Sequence, residues 1–438
     1  VGLFNRIRKR VNSSVNIQTT NTKDEFYNEK IDTWYNLYSG DLVLGKGKGL
    51  NLPKAIIDEC CKTAVHEFNF NITTSNQDLL YTNQFLQKNV ILMATHLTIG
   101  GAVALKPYIS ENRVGLVIVP ATNFIAKFDS FGDLQEVLFK SIIKEDRTVF
   151  TLIEDHVYNK ATKEYRIDYT LYKSNAYGLT NTTTYGSQCP LSDCSETRGL
   201  DDWVVFEDVD RHLCVVKTLG NTQYVNVGQS IFAPALDLIE EADNQFDRVM
   251  WEYEGGEMAI QANAELFHKT GSSNKPENYV LPEGRERLYV ALYGASNDFN
   301  IDTFAPALRD SAYWVGMNNL LRRIEFNCGL SYGILSDANE QAKTATEIVT
   351  SKQRYYITIE NIRSVLVECI DEILGNIAFL SGRVGHPLSD TAYKVEYDIE
   401  DGVMTSSEDK LNEKLLLVDK GVLTVDEFKE WYYSKKNK

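Results

Sequence analysis

Few residues in this chain are spaced for chemistry. The six histidines are His66, His96, His156, His212, His268 and His386. No two share the i, i+4 spacing that lets a helix present two imidazoles to one metal. Cys189 and Cys194 have four residues between them. His212 and Cys214 lie one residue apart in a strand-like run. Neither is a usual ligand spacing, so no zinc site is expected. Asp201, Asp202, Glu207, Asp208 and Asp210 form an acidic cluster. Such a cluster can hold a divalent cation, but charges also guard an exposed strand edge, and the edge reading is preferred. Gly45-Lys46-Gly47-Lys48-Gly49 looks like a phosphate loop. It lacks the Gly-Lys-Ser/Thr ending and a clear preceding strand, so a glycine turn is the better reading. HExxH, GxSxG and a Walker pair are absent, as is GxGxxG after a strand. Glu240-Glu241 and Asp371-Glu372 sit beside helical stripes and read as solvated faces. The chain is therefore expected not to be an enzyme. Neither a metal nor a cofactor is expected.

Composition narrows the class. At roughly 150 residues per domain, 438 residues suggest about two or three compact units. A hydrophobic fraction of 43% and a charged fraction of 24% exclude a disordered or collagen-like chain. No apolar run reaches the length of a membrane span, and Val1–Arg10 lacks the apolar core of a secretory signal. Seven cysteines over so long a chain read as reduced thiols. A net charge of −16 argues against a protein that coats the phosphate backbone, though not against one through which DNA passes unheld.

The elements follow from periodicity. The basic start, with Arg6, Arg8, Lys9 and Arg10 behind Leu3 and Phe4, and the polar stretch Asn12–Thr22 read as a flexible arm. Helices are expected over Glu25–Tyr38, from Leu52 through Phe70, and over Asn76–Leu97, with a stop at Gly100-Gly101. Residues 101–230 are strand-rich, and Tyr165–Tyr172 alternates as in an antiparallel meander. After Pro234 an apolar stripe from Leu236 to Tyr253 marks a long helix, interrupted at Gly255-Gly256. A polar insert, His268–Asp302, carries one or two strands around Leu288–Leu292. Thr303 can cap a further helix with Pro306 in its first turn, running to Asn327. The longest helix spans about Glu340–Leu380. Its stripe, Ile348 to Ile377, needs a long partner from its own chain or a neighbouring copy. A β-like piece, Ala392–Ile399, precedes a final helical pair, with a stop at Lys420-Gly421 and a capping box at Thr424–Glu427.

Several short segments, taken in order, resemble the portal proteins of long-tailed phages of Gram-positive bacteria. They are Val1–Arg8, Ile31–Gly40 with its Trp34 and Tyr38, and Leu50–Lys54 with the helix Cys60–Phe68. Next come Ile99–Pro107 and Leu236–Met250. Lys343-Thr344-Ala345-Thr346-Glu347-Ile348, at the start of the long helix, is the most specific, and Asp419–Thr424 with Glu427-Phe428 closes the series. The match is poorest at 173–230 and 381–405.

The resemblance implies an α+β portal fold. Its parts would be an arm and α/β wing (1–235), a first stem helix (236–267), a small β-containing clip (268–302) and a second stem helix (303–327). A tunnel loop (328–343), a long helix returning to the wing (344–405) and a helical crown (406–438) would follow. It implies a homo-oligomeric ring of about twelve copies at one capsid vertex of the virion, assembled in the bacterial cytoplasm. Double-stranded DNA would be packaged and ejected through it. The partners would be the terminase large subunit, then a head–tail adaptor, with the major capsid and scaffold proteins around it and no membrane. Ser336, Asp337, Asn339 and Lys343 would face the DNA. Arg309, Arg322 and Arg323 would lie near the channel, touching phosphates or, preferably, pairing with carboxylates of the adjacent subunit. Lys275, Glu283, Arg285 and Arg287 would dock partners at the clip. The alternative from another class is a metal-dependent nuclease or nucleotide hydrolase of phage origin using the acids near Asp201.

Overall fold

The structure is a computed structural model. It describes residues 21–45, 49–66, 68–129, 131–175, 186–220, 228–256, 259–263, 268–270, 278–280, 289–292, 301–304, 307–337, 345–384, 392–399, 414–418, 420–421, 424 and 428–429. Two compact units result. The first comprises Val1–Leu42, Asn51–Ala235 and Glu325–Lys438, the second Val43–Leu50 and Leu236–Ile324.

The first unit opens with three helices, α1 (Asn21–Ser39), α2 (Leu52–His66) and α3 (Gln77–Gly100). Asn76 caps α3: its Oδ1 accepts from the amides of Asp78 (2.9 Å) and Leu79 (3.2 Å). Gly101 ends it in the left-handed conformation, φ 69°. A Cβ there would lie 2.1 Å from the amide nitrogen of Gln229, so only glycine fits. One expectation is corrected between α2 and α3. The helix from Leu52 does not continue through Phe70 but ends at His66, and β1 (Phe68–Thr73) follows with strictly alternating burial. Phe-Asn-Phe-Asn-Ile-Thr has the period of a strand, and Phe68, Phe70 and Ile72 point into the core.

The strands that follow form two sheets. β2 (Ala102–Ser110) and β3 (Arg113–Pro120) make a hairpin, which β10 (Val215–Thr218) extends antiparallel to β2. β4 (Phe124–Phe128), β5 (Leu134–Glu145), β6 (Thr148–Asn159), β7 (Glu164–Asn175) and β8 (Ser187–Cys189) form an antiparallel meander, with β9 (Trp203–Phe206) also on β7. The alternation of Tyr165, Ile167, Tyr169 and Leu171 is that of the long central strand β7.

On the inner face of this sheet lies a buried polar chain. Lys106 pairs with Glu154, whose Oε2 is 3.5 Å from His156 Nε2. His156 Nδ1 is 2.8 Å from the Tyr165 hydroxyl, which lies 3.3 Å from Cys214 Sγ. Burial opposes ionisation of Glu154, but the bond to His156 and the charge of Lys106 outweigh it and hold its carboxyl down to about 2. On the outer face Asp155 stands opposite Asp168 across the β6–β7 ladder. Its Oδ1 is buried without a hydrogen bond.

The last large helix of the unit, α6 (Ala345–Ser381), is 37 residues long. Ile359, Ile362, Leu366, Cys369, Ile370, Ile373, Leu374 and Ile377 are fully buried within the single chain. The long stripe is thus covered by its own unit, by α2, α3 and the β2–β3–β10 sheet. Arg363, buried on α6, donates to the carbonyls of Ala64 (3.0 Å) and Thr63 (3.4 Å), closing the last turn of α2. β16 (Lys394–Ile399) pairs antiparallel with β1. Helical residues at 414–418 and 428–429 are what is described of the C-terminal pair.

The second unit holds α4 (Leu236–Gly255) and a set of short strands. β11 (Ala259–Asn263) lies between β14 (Tyr289–Leu292, parallel) and β15 (Ile301–Phe304, antiparallel), and β12 (His268–Thr270) pairs with β13 (Asn278–Val280). Thr303 therefore does not cap a helix. Residues 301–304 spend their backbone hydrogen bonds on β11, and α5 begins later, at Asp310 (Asp310–Asn327). Residues of α5 through Ile324 belong to the second unit, and Glu325–Asn327 to the first.

Two stability predictions follow. Arg363→Met should leave the carbonyls of Thr63 and Ala64 unsatisfied and cost about 1–3 kcal/mol in urea unfolding; an unchanged midpoint would remove the capping role. Burial, Glu136 and Asp168 push the Asp155 carboxyl up to about 7 from 3.8, against the smaller pull of His156 and Lys127. A raised carboxyl gives stability that is full below pH 3.8 and is lost as pH rises through about 7. Asp155→Asn should raise the melting temperature by ~2 °C or more at pH 8 and by less at pH 5. Equal shifts at both pH values would contradict this environment.

Candidate functional site

The loop between α5 and α6 is where the sequence places its most distinctive segment, and its base is built around one buried carboxylate. Glu325, on the last turn of α5, is fully buried. Its Oε1 accepts from the amides of Gly333 (3.0 Å), Leu335 (2.7 Å) and Ser336 (2.9 Å), and its Oε2 from the Ser336 hydroxyl (2.8 Å). A carboxylate out of water must find donors, and charge-assisted bonds of this kind are the strong ones. The loop wraps its own amides around the end of the helix that precedes it.

Three further contacts fix the turn. Gly329 has φ 72°, and its carbonyl accepts from the Thr358 hydroxyl of α6 at 3.0 Å. A Cβ at Gly329 would sit 2.3 Å from that hydroxyl oxygen. Arg354, also on α6, donates to the Leu330 carbonyl at 3.2 Å, and its guanidinium lies over the rings of Phe326 (4.5 Å) and Tyr332 (5.1 Å).

This geometry corrects one expectation. Ser336 does not face outward: it is 5% exposed, and both its amide and its hydroxyl are held by Glu325. Asp337, the next residue, is exposed. Asn339 and Lys343 lie outside the described residues, as do the clip residues Lys275, Glu283, Arg285 and Arg287.

In the second unit, Arg309 precedes α5 and finds a partner in its own chain. Its Nε (3.1 Å) and Nη2 (2.7 Å) grip Glu252 of α4 in a bidentate pair, and its amide adds a third bond to the same carboxylate. The bonds from Arg309 hold the Glu252 carboxyl below its usual range. Nearby, Trp314 Nε1 donates to the Tyr253 hydroxyl at 3.0 Å, a second tie between α4 and α5. Arg322 is half-buried and Arg323 exposed on α5.

The ends of the glycine run close on α4 in the same unit. The Leu50 amide donates to Asp243 Oδ1 at 2.8 Å, and a Cβ at Gly45 would lie 2.7 Å from Asp243 Cβ. A carboxylate, not a phosphate, takes the amide there.

The remaining candidates have structural partners. Cys194 Sγ donates to Glu145 at 3.2 Å, and His212 Nδ1 accepts from the Cys214 amide at 3.1 Å. Among the described residues no three His, Cys, Asp or Glu side chains converge as a metal site requires. No described helix is long and apolar enough to cross a membrane. Sequence reasoning missed Glu325 and the chain through Glu154, His156 and Tyr165. Glu325 carried no signal, since an acid in a helix ordinarily faces water. The alternation in β6 and β7 does put Glu154 and His156 on the same face as Tyr165.

No family model matches the chain, and no curated protein sequence matches it. A solved structure titled as the virion of a native gene transfer agent particle is similar over 90% of this chain and 90% of its own, with 8% identity and a TM-score of 0.40.

Glu325→Gln tests the loop base. It keeps the shape but loses the charge and one acceptor, so amide exchange at Gly333, Leu335 and Ser336 should speed up about tenfold or more, for a loss of roughly 1–3 kcal/mol. Exchange unchanged at those three amides would show that the loop is held by something else.

Proposed function

We propose that the chain is a subunit of a portal-type ring, a channel at one vertex of a phage-like capsid. Double-stranded DNA would pass inward through it at packaging and outward at ejection. The ring would dock the packaging motor first and a tail adaptor afterwards, and its own role would be passage and attachment without catalysis.

The observation that carries this reading is the order of the segments named above, from Ile31–Gly40 to Asp419–Thr424, along most of the chain. The element order supports it. Two helices, α4 and α5, flank a small stranded insert, and a loop then leads into the longest helix. A two-helix stem, a clip, a tunnel loop and a long return helix would need that succession. On this reading the loop base at Glu325 would fix the root of the tunnel loop, so that any part reaching the DNA starts at or beyond Asp337. The net charge of −16 suits a channel wall along which a duplex slides without being gripped.

Native mass spectrometry of the purified protein, with negative-stain images, tests the proposal. The expected result is a closed ring of about twelve copies with a central hole. A species that stays small even with its scaffold protein present, and that cleaves nucleic acid or a nucleotide, would overturn it in favour of a metal-dependent hydrolase.

A further inference from the structure

Two features of the sequence are not used by a channel: the basic segment Leu3–Arg10 and the acidic run Asp201–Asp210. The acidic run borders a cavity of about 560 Å³ in the first unit, a volume in the range of ordinary ligand pockets. Leu152, Ile167, Val204, Phe206 and Leu380 are among its walls. At its rim three large apolar side chains are left in water, Tyr108 (47% exposed), Ile109 (40%) and Leu200 (38%). Its polar side chains Glu154 and His156 are already engaged with Lys106 and Tyr165. The cavity therefore calls for an apolar occupant, not a charged one.

Around those apolar walls the charge is negative. Asp201, Asp202, Glu207 and Asp208 alternate with or flank the wall residues Leu200, Val204 and Phe206, and all four are exposed. None of these carboxylates makes an ion pair among the described residues. Arg383 binds the backbone carbonyls of Glu207 and Asp208 instead, the latter at 2.8 Å. The matching occupant is a peptide with large apolar side chains next to several cations. The chain carries such a segment, Leu3-Phe4-Asn5-Arg6-Ile7-Arg8-Lys9-Arg10. The ten residues 11–20 that join it to α1 can span at most ~33–36 Å.

We propose that this cavity seats Leu3 and Phe4 of the chain's own basic segment, with Arg6, Arg8, Lys9 and Arg10 lying over the carboxylates of Asp201, Asp202, Glu207 and Asp208. The apolar pair supplies the buried area, and the cations supply an attraction that salt screens. The seat does not depend on the channel reading.

The test uses the full chain with benzoylphenylalanine in place of Phe4, irradiated and mapped by peptide mass spectrometry. Cross-links are expected at Leu152, Val204, Phe206 or Leu380, within one chain or between copies. Their yield should fall severalfold at ~1 M salt, where the screening length is about 3 Å. The surface variant Asp201→Asn/Asp202→Asn, which removes no buried contact, should lower the yield in the same way. Val204→Trp, which fills the cavity, should abolish it. Cross-links to other parts of the chain, or to another protein only, would overturn the proposal. So would a yield that neither salt nor the Asn pair changes.

Discussion

The burial of α6 is the constraint on which the rest depends. From Tyr355 to Leu380 its apolar stripe is closed off inside one chain, and the surfaces that close it come from α2, α3 and the β2–β3–β10 sheet. At about 25 cal/mol per Å² of apolar surface, so long a stripe outweighs any local preference along it. Residues 51–235 and 325–438 must therefore fold together although eighty-nine residues intervene between them in sequence. The intervening stretch can only be an excursion. Asn327 Nδ2 donates to the Pro234 carbonyl at 3.4 Å, so the points of departure and return lie side by side.

Glu325 stands at the point of return, and its environment follows from that position. A helix that ends at the margin of a packed core leaves unsatisfied carbonyls and a loop with free amides. Here one buried carboxylate collects three of those amides and a hydroxyl. Arg354 and Thr358 take loop carbonyls from the α6 side. The donors and acceptors of the turn are thus answered from the two helices it joins, and its course is set before Asp337 is reached.

Much of this was legible in the residues because it is periodic. The stripes of α4 and α6, the glycine stop at Gly101 and the alternation of β7 each show a pattern in the local sequence. What was not legible depends on partners far away. Phe68–Thr73 alternates, yet with the helix from Leu52 running into it, the strand becomes evident only when β16, near the other end of the chain, pairs with it. Thr303 has the look of a cap, but β11 claims its backbone first. Ser336 reads as a polar loop residue, and nothing nearby announces that a glutamate eleven positions earlier will bury it. Local propensity decides an element only where no distant partner competes for the same hydrogen bonds.

Charge sets a last condition on association. Arg309 is taken by Glu252, Lys217 by Glu368 and Glu372, and Arg363 and Arg383 are engaged by backbone carbonyls. Cations held in this way are not available to bridge copies, while the net charge of −16 remains. A net charge of this size makes copies repel at long range, so the ring proposed above would draw on apolar contact at short range. The second unit leaves such surface exposed, with Trp251 at 67%, Val315 at 47% and Trp314 at 43%. The ring proposed above would on this account be weak in dilute salt and strengthen as the repulsion is screened.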